Sequence, residues 1–145
     1  MTTDWETREV DWRDTETVEA VRTVRHAVFV VEQEVPEELE WDGSDSACRH
    51  VIAIDETERV VATGRLDPDD HIGRMAVMRE VRGRGAGRAV LEHLINIARE
   101  RGSREVVLNA QIHAMDFYLG AGFERFGERF MEAGIEHQSM LKRLV

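Results

Sequence analysis

The chain has 145 residues, 42% of them hydrophobic, and its 29 acidic against 19 basic residues give a formal charge of −10. A chain of this length folds as one domain with an apolar core, which excludes a disordered protein, and its longest apolar run, residues 27–31, is far shorter than the roughly 20 residues of a membrane-spanning helix. The acidic balance argues against nucleic acid or an anionic membrane as a partner and favours a cationic substrate.

Composition also bears on the cellular setting. The first residues show no basic segment followed by an apolar one, so we expect no signal peptide and a cytoplasmic protein. Cys48 is the only cysteine, which favours a small buried residue over a disulfide or a metal site. All basic residues but Lys142 are arginines, and with the acid excess this suggests a halophilic source. A GC-rich genome would explain the missing lysines alone.

The amino-terminal third predicts one strand and one helix. Imperfect apolar alternation gives a weak strand within residues 5–12. A helical period then runs to about residue 31, with Asp14 as its N-cap. Residues 32–47 are acidic and lack periodicity, so we expect a long loop with room for a helical turn. Long loops in compact domains often bind ligands.

The rest of the chain alternates strands and helices. In chain order we expect a hairpin of strands at 51–54 and 60–66, a strand at 72–78, a glycine-rich loop at 82–87 opening a helix that stops at Gly102, a strand at 105–109, a short helix at 114–119, and a hairpin of strands at 123–131 and 137–144 turning at Gly134. This order predicts an α/β (α+β) domain with a mixed sheet and helices on both faces.

The glycine-rich loop carries the clearest chemical signal. It reads Arg82-Gly83-Arg84-Gly85-Ala86-Gly87 between a strand and the start of a helix. Glycines let the backbone approach an anion while amides and the helix dipole face it, which predicts a phosphate site. Neither Lys nor Ser/Thr follows Gly87, as a Walker A loop requires, and no register gives the Rossmann pattern. A solvated glycine turn without a ligand remains the alternative.

Two motifs resemble the GNAT N-acetyltransferases. The loop fits the Q/R-x-x-G-x-G/A acyl-CoA signature of that family, and residues 114–123 match its A-x-x-F/L-Y-x-x-x-G-F segment without a gap. Over residues 25–144 further segments resemble the ElaA-like branch, namely 27–33, 42–45, 49–50, 108–111 and 134–140. The chain departs from the branch at residues 35–37, Val-Pro-Glu instead of Cys-Pro-Tyr, and from most GNATs at Gln111, where they carry Asn.

The resemblance implies direct transfer of acetyl from acetyl-CoA to an amine in a ternary complex, on a sheet splayed after the fourth strand. The loop amides would hold the pyrophosphate with help from Arg82 and Arg88, and one amide of strand 75–77 would face the thioester carbonyl. Tyr118 would protonate the departing thiolate. The implied acetyl-CoA contacts are Met75, Ala76, Val77, Arg82, Gly83, Arg84, Gly85, Ala86, Gly87, Arg88, Gln111 and Tyr118.

A general base has to accept the amine proton, and histidine and glutamate are the suitable types. The resemblance places His50, His113 and His137 near the acceptor cleft, although packing stays open as the role of each. Glu34 and Glu132 are candidates for the acceptor site. Because no two histidines have HxH or HxxxH spacing, we expect no metal.

The acidic loop offers further candidates. Residues 32–34 could contact an amine, whereas for Glu37, Glu38 and Glu40 a solvated acidic surface is expected. Trp41 either lines the pocket or lies at the edge of the core.

Together these features predict a single GNAT acyl-CoA N-acyltransferase domain over residues 1–145. We expect it to acetylate a primary amine of a small molecule or peptide, without nucleic acid or membrane partners, as a monomer or homodimer. The alternative is a non-catalytic acyl-CoA-binding or regulatory module on the same fold. A third, weaker possibility is an interaction subunit that dimerises through its last strand.

Overall fold

The computed structural model describes residues 5–144 and contains eight strands in one mixed sheet. The strands are β1 (Glu6–Val10), β2 (Arg49–Ile54), β3 (Val60–Leu66), β4 (His71–Val77), β5 (Glu105–Gln111), β6 (Glu124–Arg125), β7 (Phe130–Glu132) and β8 (Ile135–Arg143). The order across the sheet is β1-β2-β3-β4-β5-β8-β6, and β7 also pairs with β8. Among the strand pairs of these residues only β4–β5 is parallel, and the others are antiparallel.

The described part of the chain has four α-helices that accompany the sheet. They are α1 (Thr15–Arg25), α2 (Glu37–Glu40), α3 (Ala86–Glu100) and α4 (Met115–Gly120), and α1 continues directly into a π-helical segment at His26–Glu32. The carboxylate of Asp14 accepts a hydrogen bond from the Thr17 backbone nitrogen, as expected of an N-cap. The π-helical segment ends at Gln33, whose amide nitrogen donates to the carbonyl of Val28 five residues earlier.

Alternation along β2 explains why helices cover both faces of the sheet. Ile52 and Ile54 pack in the cluster that contains Val21 of α1, whereas Val51 and Ala53 pack in the larger cluster that contains most of α3. Successive side chains of a strand point to opposite faces, so buried residues at adjacent positions require a cover on each side. The predicted mixed sheet with two-sided helical layers is therefore confirmed.

The parallel pair β4–β5 is joined only at its beginning. His71 faces Val107 and Ile72 faces Leu108, and no further residue pairs follow between the described strands. Beyond that point β4 carries a bulge, where Arg74 adopts a left-handed φ of 51° and the register with β3 shifts. The carboxyl-terminal halves of β4 and β5 therefore diverge and leave a gap in the sheet, as the family resemblance implies.

Two expected elements differ from the structure. The predicted strand at 123–131 is broken into the two-residue β6 and three-residue β7, with Gly127 at a φ of 71° between them. The predicted first helix reaches residue 32, but its last seven residues are π-helical. Cys48 is buried, as expected, at 8% exposure.

The loop after the first helix is fixed by a buried ionic cluster, and here the expectation of a solvated Glu40 is wrong. The cluster consists of Arg25, Arg65, Arg74, Glu40, Asp42 and Asp45. Arg25 donates to Glu40 at 2.5 Å and to Asp45 at 2.7 Å, and all three side chains are nearly inaccessible. Buried charges are tolerated only when they are paired in this way. Trp41 covers the cluster, with the Arg25 guanidinium 4.9 Å from its ring centre.

No helix within residues 5–144 is both long enough and apolar enough to cross a membrane.

Candidate active site

The gap between β4 and β5 is the natural place for an extended ligand. The Met78 nitrogen donates to Val61 of β3 at 2.8 Å, so strand alternation turns the amide and carbonyl of Val77 toward the gap. The carbonyl of Val77 accepts a hydrogen bond from Arg82 at 3.0 Å, on the side away from β3. One backbone amide at the end of β4 therefore faces the space that opens opposite β5.

The glycine loop lies at the end of β4. Gly83 and Gly85 have left-handed φ values of 79° and 92°, which only glycine adopts readily. The first turn of α3 begins with the bond from Ala89 to the Gly85 carbonyl at 3.0 Å, so the preceding amides have no helical acceptor. These amides and the positive end of the helix dipole lie where the sequence predicts an anion site, and that site stays a prediction.

Gly87 permits a close approach of α3 to β4. A Cβ atom there would lie 3.0 Å from Cγ2 of Val77 and 3.8 Å from the ring of Phe117. A side chain at this position would therefore need the Val77 side chain or the helix to shift by a few tenths of an ångström. The glycine thus permits the close packing of α3 on β4.

The arginines of the loop do not share one role. Arg82 donates two hydrogen bonds of 2.6 Å to the carboxylate of Glu32 and a third to Val77, so its guanidinium is engaged by the protein. These bonds from Arg82 hold the pKa of Glu32 below its ordinary value. Arg88 contacts Glu92 at 3.0 Å, and Arg84 is exposed. Arg82 and Arg88 are both expected to contact phosphate, but the guanidinium of Arg82 is already bonded to Glu32 and Val77.

Tyr118 lies in α4, the helix that follows β5. Its ring is packed edge-to-face against Phe117 and Phe123, with ring centres 5.0 and 5.8 Å apart, and the residue is 8% exposed. Burial raises the pKa of its phenol above the ordinary value near 10. The hydroxyl therefore carries its proton at neutral pH and can act as a donor.

Three of the predicted residues lie on the neighbouring strands β5, β8 and β7. His137 lies directly opposite Gln111 in the ladder, and its Nε2 lies 3.9 Å from the carboxylate of Glu132. Its Nδ1 lies 2.7 Å from the carbonyl oxygen of Ile135, which can only accept, so Nδ1 carries a proton. In the neutral ring Nε2 is then the basic nitrogen. Phe130 stacks against the imidazole, with ring centres 5.7 Å apart.

The remaining acceptor candidates are His50, His113 and Glu34. His50 is 1% exposed, bonds to the Asp45 carbonyl at 2.8 Å and stacks on Trp12, so it is enclosed by the ionic cluster rather than open to a substrate. Burial lowers its pKa. His113 is exposed near Glu32, and Glu34 is exposed with a left-handed φ of 57°.

The sequence did not reveal two contacts, one at the gap and one at the glycine loop. Gln111 forms a reciprocal amide pair with Gln33, at 3.0 and 2.8 Å, and Trp5 donates to the Arg84 carbonyl at 2.8 Å. For the Gln33–Gln111 pair, the available sequence signal was the adjacent Glu32 and Gln33 in the segment that resembles the ElaA-like branch. For the Trp5–Arg84 bond, a single tryptophan before a weak strand gave no signal.

Two further observations delimit the site. A groove of about 760 Å³ between β1 and α3 is lined in part by Trp5, Arg84, Gly85 and His93, and it lies outside the gap. Within residues 5–144 no three histidine, cysteine, aspartate or glutamate side chains are grouped to hold a metal ion, and the expectation of no metal stays a prediction.

Comparison with known proteins assigns the family. The model of the acetyltransferase (GNAT) domain matches residues 13–144. YjcF of Bacillus subtilis (strain 168), described as an uncharacterized N-acetyltransferase, is 36% identical over 123 residues, which are 82% of this chain and 87% of YjcF.

Solved structures agree. Escherichia coli ElaA superposes with a TM-score of 0.83 at 28% identity, and an acyl-CoA N-acyltransferase from Pseudomonas aeruginosa with 0.82 at 27%; each alignment covers 96% of this chain and 99% of the other. The chain belongs to the GNAT family and is an acetyl-CoA-dependent acyltransferase with an ElaA-like fold.

Proposed function

We propose that this protein transfers the acetyl group of acetyl-CoA to a primary amine of a small molecule or peptide by direct attack in a ternary complex. The observation that carries the proposal is the gap between β4 and β5, whose open end has the glycine loop on its β4 side and the Gln111–His137 pair on its β5 side. An acyl donor held in this gap and an amine entering beside His137 would meet within one cleft.

Backbone atoms and a few side chains bind the donor. The amides of residues 83–88 hold the pyrophosphate, with Arg84 and Arg88 adding charge. Residues 75–77 pair with the pantetheine arm, and the Val77 amide donates to the thioester oxygen as negative charge develops there. Gln111 contacts the arm from the β5 side. Arg82 supports the loop through Glu32 instead of binding phosphate directly.

Two side chains move protons in the reaction. The amine nitrogen forms a bond to the acetyl carbon, and the carbon–sulfur bond breaks. His137 accepts the proton that the amine loses, at the Nε2 left basic by the Nδ1 bond to Ile135. Tyr118 donates its proton to the leaving thiolate, and its buried phenol stays protonated until then. His113 is the alternative base, because it is exposed near Glu32.

The acceptor is cationic in water, as most amines are. Glu34 and Glu132 are exposed acids, and Glu132 lies beside His137. They attract an ammonium group to the cleft and leave it close to the base.

The proposal extends to the setting of the enzyme: a cytoplasmic monomer or homodimer adapted to high salt. The charge of −10, with 18 arginines and one lysine, supports the last point because salt screens the repulsion of an acidic surface. The melting temperature should rise with KCl concentration, and a flat or falling curve would contradict adaptation to high salt.

One experiment tests the function itself. Purified protein is mixed with acetyl-CoA and a panel of amines, free thiol release is followed, and CoA binding is measured by calorimetry in parallel. Thiol release that depends on an amine supports the transferase. CoA binding without turnover for any amine favours the non-catalytic module, and absence of CoA binding contradicts both.

A further inference from the structure

Two consecutive residues at the end of the π-helical segment reach both sides of the gap. Glu32 receives two bonds of 2.6 Å from Arg82 in the glycine loop. Gln33 exchanges bonds of 3.0 and 2.8 Å with Gln111 at the end of β5. These contacts join positions 50 and 78 residues apart, so they fix tertiary arrangement instead of local conformation.

The gap needs such a connection because the sheet does not supply one. β4 and β5 share only two residue pairs, at the end remote from the loop, and the ladder that would fix their spacing is missing further on. The π-helical segment is anchored on the β4 side, where Val28 and Phe29 pack with Ala76. The Gln33–Gln111 pair therefore crosses from the β4 side to β5 at the open end.

The reciprocal pair also fixes an orientation. A free glutamine amide can rotate and exchange its donor for its acceptor. In the pair, Gln111 gives one N–H and accepts at its oxygen, so its remaining N–H and lone pair point in set directions. His137 lies opposite Gln111 in the ladder, which places the oriented amide beside the proposed base. π-helical turns of this kind occur often at functional sites.

We propose that Gln33 is a positioning residue for acetyl transfer: it sets the spacing of β4 and β5 and presents the Gln111 amide to the pantetheine arm in one orientation, while Glu32 holds the loop through Arg82. This inference rests on the proposed function. Gln33 itself need not contact substrate.

The test compares the wild-type protein with Gln33→Met, Gln111→Met and the double variant. Methionine keeps the side-chain volume and removes both hydrogen bonds. Each single variant loses the two hydrogen bonds of the Gln33–Gln111 pair. The free energy of two such bonds predicts a rise of about 5- to 100-fold in the KM for acetyl-CoA and in the Kd for CoA. The effect on kcat should be smaller. Since Gln33 acts through Gln111, the double variant should match Gln111→Met.

Two more variants separate positioning from general stability. Gln33→Glu keeps an acceptor for the Gln111 N–H and should show an intermediate KM. Gln138→Met removes a comparable buried amide, which donates to the carbonyls of Phe126 and Gly127 away from the gap, and should lower the melting temperature without changing the KM for acetyl-CoA.

The outcomes distinguish the inference from the function beneath it. If the wild type neither binds CoA nor turns over, the proposed function fails and this inference with it. If the wild type is active and Gln33→Met retains its KM and Kd, or if the two single effects simply add in the double variant, only the positioning role of Gln33 is overturned.

Discussion

The indole nitrogen of Trp5 donates a hydrogen bond of 2.8 Å to the carbonyl oxygen of Arg84, 79 positions further along the chain. Arg84 lies between Gly83 and Gly85, whose left-handed conformations leave the loop backbone many alternatives when it is unconstrained. The hydrogen bond from Trp5 holds the loop backbone in one of these conformations. It thereby ties the first strand of the sheet to the proposed pyrophosphate site.

Replacement of Trp5 by Phe should weaken CoA binding. The ring is kept and one hydrogen bond is lost, so the Kd for CoA should rise by about 2- to 10-fold. Calorimetry measures it, with Trp41→Phe as the control, because the Trp41 indole faces Glu37 outside the loop. An unchanged Kd in Trp5→Phe, or an equal change in the control, would show that the indole does not order the loop.

Gly87→Ala should reduce CoA affinity more strongly than its small size suggests. Alanine favours a helix over glycine, but the new Cβ would lie 3.0 Å from Cγ2 of Val77, so the two effects on the stability of the fold oppose each other. Where the clash is relieved by moving α3 away from β4, we expect the Kd for CoA to rise roughly 5- to 150-fold, which corresponds to about 1–3 kcal/mol.

Gly120→Ala is the matched control, since a Cβ there meets nothing within 4 Å and the position is also helical. If both variants bind CoA like the wild type, the spacing of α3 and β4 does not govern the anion site.

These residues show what a sequence can and cannot predict. The unit β4, glycine loop and α3 was predicted nearly to the residue, because strand periodicity, glycines and helix periodicity are all local signals. Arg82 was assigned to phosphate because its partner Glu32 lies 50 residues away, and only tertiary structure brings them together. Local patterns identify a loop but not the pairing of its charges.

The ionic cluster also depends on partners that are distant in the sequence, although the position of Arg25 gives a partial indication of it. Glu40 looked like one of several loop acids, yet its partner Arg25 lies on the apolar side of the first helix, three positions before Val28 and four after Val21. An arginine at an inward position indicates a buried acid without saying which one. No residue pattern predicts the π-helical end of that helix. Its backbone amides find their hydrogen-bond acceptors only in the turn that the folded chain adopts.

Neutralising Glu34 and Glu132 together, each to Gln, should raise the KM for the amine more than that for acetyl-CoA. Each exposed charge contributes modestly, so we expect about 3- to 10-fold for the amine at low salt and less at high salt. The matched control is Glu37→Gln with Glu38→Gln, which removes the same charge from α2. Equal shifts in the two KM values, or an equal effect of the control pair, would exclude an acceptor site at these residues.

The ionic cluster predicts a pH dependence of stability. Hydrogen bonds from Arg65 hold the pKa of Asp42 well below its usual value. Because the folded pKa lies below the unfolded value of about 3.9, the carboxylate stabilises the protein fully above that value and loses its contribution as the pH falls toward the folded pKa.

The Asp42 side chain is 34% exposed, so solvent screens its bonds to Arg65, and Asp42→Asn should cost only about 1 kcal/mol at pH 7. The difference from the wild type should shrink below about pH 4. Urea unfolding at several pH values measures this. Asp11→Asn, which breaks only an exposed pair with Arg13, should change stability by less than about 0.5 kcal/mol. A pH-independent difference for Asp42→Asn would mean that its charge is not what stabilises the loop.

Tyr118→Phe separates the proton-donor role of this residue from its packing role. The variant retains the ring that contacts Phe117 and Phe123 and removes only the hydroxyl. Because burial raises the pKa of the phenol, Tyr118 is protonated across the neutral range, and its loss as a general acid should lower kcat by about 10²- to 10⁴-fold. CoA affinity and melting temperature should change little.

Phe123→Leu is the complementary control: it disturbs the same aromatic packing and should lower the melting temperature, while kcat stays near that of the wild type. Pre-steady-state measurement of thiol release establishes whether chemistry limits the rate. If chemistry is limiting and Tyr118→Phe keeps its kcat, Tyr118 only packs the interface of α4, and water protonates the thiolate.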